Sequence, residues 1–183
     1  MIKLIVFVIA SLFMAYLSRF SLRVVGSHGF YRFFAWECML ILLLLNVKEW
    51  FNTPLAWHQL ISWLLLSLSL IVLMMGAEGL IRRGKPGKGR EDETHLFEFE
   101  RTSQLVESGI YRYIRHPLYS SLFWLSWGIF FKQPGWIGFF LSLAASFFLY
   151  FTAKADEAEC IQFFGAEYTE YMKRSKRFLP FVF

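Results

Sequence analysis

Between Arg112 and Pro117 the chain sets two arginines, a histidine and a proline into six residues, with Tyr113 among them and Tyr111 and Tyr119 on either side. Guanidinium groups grip carboxylates and phosphates through paired hydrogen bonds. Histidine is the side chain that changes charge near neutral pH. Pro117 predicts the first residue of a helix, where its missing N–H costs nothing. The free N–H groups of that helix start, with Arg112 and Arg115, attract an anionic group. About forty residues later comes a carboxylate pair, Asp156 and Glu157, suited to a cationic ligand or an amino group. A third polar group, Glu98, Glu100, Arg101 and Gln104, lies on the approach to the first. Each has a plainer reading. Arginine and histidine at a span's end anchor lipid headgroups, and acidic residues near a helix start complement its dipole. Glu37 and Glu78 read as snorkelling or paired residues near the ends of spans.

The elements that must position these groups are membrane helices. Hydrophobic residues make up 56% of the 183-residue chain and charged residues 18%, and 22 Phe and 7 Trp are too many for a soluble core. Five apolar stretches are predicted to span: 2–17, about 33–47, about 60–80, 117–131 and 136–152. Lys3 before the first also suits a signal peptide, but no A-x-A-like site follows and Arg19 and Arg23 form a flank, so it reads as a retained span. The sequence "KQPG" predicts a tight turn, making the last two spans an antiparallel helical hairpin. Such a hairpin brings His116 back beside Asp156 and Glu157 at one depth. After it, Cys160, Phe164, Tyr168 and Tyr171 recur at helical spacing, predicting an amphipathic C-terminal helix with a bend at Gly165.

Charge gives an orientation. Segments 18–32, 82–116 and 153–183 hold three, eight and five of the nineteen basic residues; only Lys3, Lys48 and Lys132 fall on the other side. The positive-inside pattern predicts N-terminus out, C-terminus in, with the polar clusters facing the cytoplasm. The net charge of +5 is thereby read as attraction to membrane lipids rather than to nucleic acid. Cys38 and Cys160 are isolated, so no metal site is predicted. The glycines of "GKPGKGREDETH" lack a phosphate-binding pattern and read as a solvated loop. The expected organisation is 1–83 as three transmembrane helices, 84–101 as a cytoplasmic loop, and 102–183 as the region carrying the chemistry.

The joint pattern resembles the isoprenylcysteine carboxyl methyltransferase family and the related membrane phospholipid methyltransferases. Those carry a G-x-Y-x-x-x-R-H-P-x-Y stretch, an acidic pair, a Phe-Gly-x-x-Tyr-x-x-Tyr stretch and a final Arg-Phe-x-Pro. Here these are Gly109, Tyr111, Arg115, His116, Pro117 and Tyr119; Asp156 and Glu157; Phe164, Gly165, Tyr168 and Tyr171; and Arg177, Phe178 and Pro180. The resemblance covers about 103 to 180. It implies an all-α integral membrane fold and S-adenosyl-L-methionine as cofactor, in a cytoplasmic pocket with a tunnel for a lipophilic methyl acceptor. It implies that Gln104, Leu105, Val106, Tyr111, His116, Pro117 and Tyr119 surround the cofactor, with Asp156 and Glu157 at its cationic end. Arg115, His116 and Glu157 are the residues expected to carry the reaction. Displacement at a sulfonium methyl chiefly needs positioning and exclusion of water. A carboxylate or thiolate acceptor needs no base, whereas an amine would call on His116 or Glu157.

Two departures stand out. The acidic pair is Asp-Glu where the family has Glu-Glu. Thr152 and Ala153 stand where the eukaryotic carboxyl methyltransferases place a substrate-contacting arginine. An alternative class shares Arg-His-Pro-x-Tyr: membrane sterol and steroid reductases that use NADPH. They are expected to have Asn after the proline and Gly-Glu soon after the tyrosine, where this chain has Leu118, Ser120 and Ser121. A non-enzymatic membrane subunit would explain neither the shared face nor the order of the clusters.

Overall fold

The apolar stretches fold as helices because nothing within them interrupts the backbone ladder, and lipid leaves an exposed peptide group no other partner. The computed structural model describes residues 1–84 and 102–180. Over them the fold is all-helical: α1 (Ile2–Leu17), α2 (His28–Asn46), α3 (Trp57–Arg83), α4 (Pro117–Phe130), α5 (Trp136–Phe164) and α6 (Ala166–Arg174). Residues 85–101, which include most of the predicted loop and Glu98, Glu100 and Arg101, lie outside the described residues.

Three helices, α2 with its extension to Glu49, α3 and α5, are long and apolar enough to cross a bilayer. With broad outward apolar faces, such as Leu64, Leu70 and Met74 on α3 and Phe140 and Phe147 on α5, they make this an integral membrane protein. The other two predicted spans are helices of 16 and 14 residues, α1 and α4. At 1.5 Å per residue, α4 is about 21 Å long, short of a full hydrocarbon core of about 30 Å.

One boundary differs from expectation. The helix that carries the predicted fifth span does not stop near Thr152; α5 runs on to Phe164. The polar run from Lys154 to Glu159 contains no helix breaker, so the helix simply leaves the apolar layer and continues. It ends where Gly165 adopts φ 61°, a conformation that side chains with a Cβ resist. The predicted C-terminal helix is thereby divided between the end of α5 and the nine-residue α6, which buries Tyr168 and Tyr171.

Two seams hold the bundle. Along α2 and α5, Ala35, Met39, Ala145, Leu149 and Ala153 are buried together, and Phe34 stacks on Phe148 at 5.4 Å between ring centroids. Along α3 and α4, small and hydroxylated residues let the backbones approach, as membrane helix pairs require. Ser62 Oγ donates to the Gly128 carbonyl at 2.7 Å and Ser69 Oγ to the Ser121 carbonyl at 2.8 Å. A Cβ on Gly128 would stand 2.8 Å from Leu66. The α4–α5 hairpin forms as expected, and its start lies against the polar end of α5.

Candidate functional site

Pro117 opens α4 as predicted, and His116 is its N-cap. The carbonyl of His116 accepts from the Ser120 amide and hydroxyl, both at 2.9 Å, which fixes the first turn. Upstream, the backbone is pinned by the C-terminal segment laid beside it. Arg115 N–H donates to the Lys176 carbonyl at 2.7 Å, Lys176 N–H to that of Tyr113 at 2.9 Å and His116 N–H to that of Arg177 at 3.2 Å. This short parallel pairing of Ile114 with Lys176 turns a loop into a rigid platform.

On that platform sits a buried charge cluster. Arg115 donates through Nε to Glu157 Oε1 at 2.9 Å, with its Nη2 at the same distance from that oxygen. Arg177 donates to both oxygens of Glu157, at 3.0 and 2.6 Å. The remaining nitrogen of Arg115 donates to the carbonyls of Met172 and Ser175. His116 fits between the acids: Nδ1 is 3.3 Å from Asp156 Oδ2, and Nε2 is 3.4 Å from Glu157 Oε1 without a hydrogen bond. Its ring stacks on Tyr119 at 5.4 Å. Burial disfavours the imidazolium, but Asp156 and Glu157 outweigh it and raise the pKa above the ordinary value.

A cavity of about 90 Å³ is walled in part by this cluster, through Arg115, His116 and Asp156. Asp156, Cys160 and Phe164, spaced along one face of α5, form one wall, and Tyr168 and Tyr171 of α6 another. Leu80, Thr102, Leu105, Val106, Tyr111, Arg115, His116, Pro117, Leu118 and Tyr119 complete it. Tyr171 donates its hydroxyl to the Tyr111 carbonyl at 2.6 Å. Burial pushes the pKa values of Tyr111, Tyr168 and Tyr171 upward, so these walls stay neutral.

Most predicted site residues are therefore brought together, and two stand differently. Gln104 is exposed and is not part of the wall. Glu157 does not face the cavity; its oxygens are taken by two guanidinium groups, and Arg115 is spent on the same pair. Asp156, 25% exposed in its side chain, is the acid that meets the cavity. The cavity also uses residues the sequence did not mark as a site. Cys160 reads from sequence as a small apolar residue, yet its spacing of four from Asp156 puts both on one face. Gly76 and Gly79 of α3 let the site dock: a Cβ on Gly79 would lie 2.8 Å from the Tyr111 ring, and one on Gly76 3.1 Å from Pro117.

The comparisons with known proteins fall on the same region. A family model described as phospholipid methyltransferase matches residues 89–167, which contain His116 and the acidic pair. The protein-S-isoprenylcysteine O-methyltransferase of Homo sapiens is 32% identical over 136 residues, covering 69% of this chain and 45% of that protein. The protein of that name in Mus musculus is 30% identical over 132 residues, with the same coverage. In Saccharomyces cerevisiae the identity is 30% over 93 residues, covering 49% of this chain and 38% of the relative. The chain thus spans less than half the length of these curated relatives. No solved structure matches it.

Proposed function

We propose that this chain, an isoprenylcysteine methyltransferase-like protein by its relatives, is an S-adenosylmethionine-dependent methyltransferase of the membrane's cytoplasmic face. The observation that carries the reading is the convergence of Asp156, His116, Tyr119 and Tyr111 on one cavity, all within the stretch that the phospholipid methyltransferase model matches. Relatives named as methyltransferases favour this over the NADPH-dependent reductase alternative.

The residues present fit that cofactor. The cavity offers one carboxylate able to meet a cation, Asp156, beside the Arg115 and His116 side chains, and aromatic and aliphatic residues make up most of the other walls. The N–H groups of the first turn of α4 favour a carboxylate. S-adenosylmethionine, when bound, supplies an electrophilic methyl group.

The chain's own part is positioning. Glu157, held by Arg115 and Arg177, ties α5 to the His116 platform and is a positioning residue. His116 orients Asp156 from the other side. Tyr111, Tyr119, Tyr168 and Tyr171 exclude water. Neither Glu157, with its oxygens engaged, nor His116, with Nε2 buried against Glu157, is arranged to take a proton from an acceptor. That geometry favours an acceptor that arrives as an anion, a thiolate or carboxylate, over an amine.

The relatives' names point to a prenylated cysteine, and the outward apolar faces suit an acceptor dissolved in lipid. On this reading residues 1–83 are the membrane scaffold and 102–183 the reactive region. On the same reading the shorter helices α1 and α4 add two further passes, α4 by local thinning of the bilayer, with the N-terminus outside and the basic segments in the cytoplasm. α6 lies at the membrane surface.

Calorimetric titration of the detergent-purified protein with S-adenosylhomocysteine and, separately, NADPH tests the reading. Binding of the first alone, lost in Asp156→Asn, is expected. Binding of NADPH alone moves the protein to the reductases, and binding of neither overturns an enzymatic site here.

A further inference from the structure

The wall that α5 gives the cavity is Asp156, Cys160 and Phe164, in the stretch of the helix beyond Thr152. At about 100° per residue these three share one arc of roughly 160°, bounded by Glu159 on one flank and Glu157 on the other. Glu157 is gripped by Arg115 and Arg177. Glu159 is gripped from α2. His28 Nδ1 lies 2.7 Å from Glu159 Oε2, and the His28 backbone N–H donates to Oε1 at 3.1 Å. A carboxylate accepts at such a distance only from a ring nitrogen that carries its proton. The His28 side chain is 1% exposed.

His28 holds its acid from a firm seat. It is the first residue of α2, whose N-cap Ser27 accepts from the Phe30 N–H at 3.2 Å and donates through the same hydroxyl to the Ser21 carbonyl at 3.2 Å. A Cβ on Gly29 would stand 2.5 Å from Ser21 Oγ, so the start of α2 and the turn before it are in close contact. The apolar seam of α2 and α5 includes Ala153 and the ring pair of Tyr31 and Phe151, 5.5 Å apart. Glu159 lies six residues past Ala153, about 9 Å further along the helix. The His28 hydrogen bonds therefore carry the contact between these helices out to the level of the cavity wall.

We infer that His28 is a positioning residue of the cofactor cavity: by holding Glu159 while Arg115 and Arg177 hold Glu157, it fixes the rotation of α5 that aims Asp156 into the cavity. This rests on the methyltransferase reading above and deepens it. A helix tied on one flank can roll about that tie, and a helix tied on both flanks cannot. Asp156 lies between the two ties, so a roll would carry its carboxylate away from the ligand. His28 is not among the residues that wall the cavity, and it lies outside the stretch 89–167 matched by the family model. The N-terminal helices thereby act on the site as well as anchoring it.

The test is calorimetric titration of the full-length protein in detergent with S-adenosylhomocysteine, after thermal unfolding has shown each variant to be folded at the titration temperature. His28→Ala and Glu159→Ala are each expected to weaken binding about tenfold, the scale of one hydrogen bond to a charged group. The double variant is expected to lose no more than either single one, because the two side chains act as one tie. His28→Asn, whose amide donates from the place of Nδ1, is expected to bind within about threefold of wild type. Unchanged affinity in His28→Ala, whatever its Tm, overturns the inference. An equal loss in His28→Asn and His28→Ala also overturns it, since the bulk of the ring would then matter and not its hydrogen bond. If His28→Ala does not fold, Glu159→Ala, at a side chain 21% exposed, decides by the same criterion. Wild type that does not bind S-adenosylhomocysteine removes the methyltransferase reading, and this inference with it.

Discussion

His116 Nε2 stands 3.4 Å from Glu157 Oε1 and makes no hydrogen bond to it. The carboxylate is already saturated by Arg115 and Arg177, so the neighbouring acids divide their work. Glu157 holds three chain segments together, whereas Asp156 faces the cavity. From sequence the two look interchangeable; their surroundings make them different groups.

Glu157→Gln separates these roles. It leaves two guanidinium groups without their carboxylate, and breaking a buried pair costs about 3–5 kcal/mol. For a chain of this length that corresponds to a fall in Tm of roughly 6–20 °C. Asp156→Asn is expected to shift Tm far less while abolishing measurable binding of S-adenosylhomocysteine. Thermal unfolding and calorimetry on both variants check this, and a larger Tm loss in Asp156→Asn would reverse the assignment.

The same cluster sets a pH dependence. His116 has a folded-state pKa raised above an unfolded value of about 6.5, because Asp156 and Glu157 outweigh its burial. Its contribution to stability is therefore complete below about pH 6.5 and is lost as pH rises through the raised value. Tm of wild type should fall relative to His116→Gln over that interval. A difference that grows in the opposite direction would show that the ring is held neutral in the folded protein.

Much of this arrangement was legible in advance, and the gaps have physical causes. The "KQPG" turn required the hairpin, and a hairpin returns the later part of α5 to the end of α4 that carries His116. Arg177 was legible only as part of a family pattern. Its ion pair depends on the C-terminal segment pairing with Ile114, a contact between residues about sixty apart that no local spacing encodes. The continuation of α5 past Thr152 was missed because hydropathy marks where a helix leaves lipid, not where its backbone ladder ends. Gly76 and Gly79 gave no signal at all, since a glycine in an apolar helix does not say what packs against it.

Gly79→Ala tests that packing. Alanine favours the helix by about 1 kcal/mol over glycine. Its Cβ would nevertheless meet the Tyr111 ring at 2.8 Å, and Tyr111 is anchored through its carbonyl by Tyr171. The ring must move, and the wall of the cavity with it. Affinity for S-adenosylhomocysteine is expected to fall by about tenfold, near 1.4 kcal/mol, with little change in Tm because the two effects on stability oppose. Unchanged affinity measured by calorimetry would mean that Tyr111 does not shape the ligand's place.

At the opposite end of the bundle, Lys132 is buried with its ammonium 3.2 Å from the ring centroid of Trp63 and 3.1 Å from Gln59 Oε1. The amide nitrogen of Gln59 donates to the carbonyls of Glu49 and Lys132. Replacing a buried charge with an apolar chain of similar length is often neutral or stabilising, but removing its acceptor strands it. Lys132→Met is therefore expected to leave Tm unchanged or slightly higher. Gln59→Leu, which strips the ammonium of its oxygen and two carbonyls of their donor, should cost about 2–4 kcal/mol. Both variants should bind S-adenosylhomocysteine like wild type, since neither residue approaches the cavity wall. If Lys132→Met proves the more damaging in thermal unfolding, then the two tryptophans, Trp63 and Trp50, contribute more to holding this hairpin end than the hydrogen bond does.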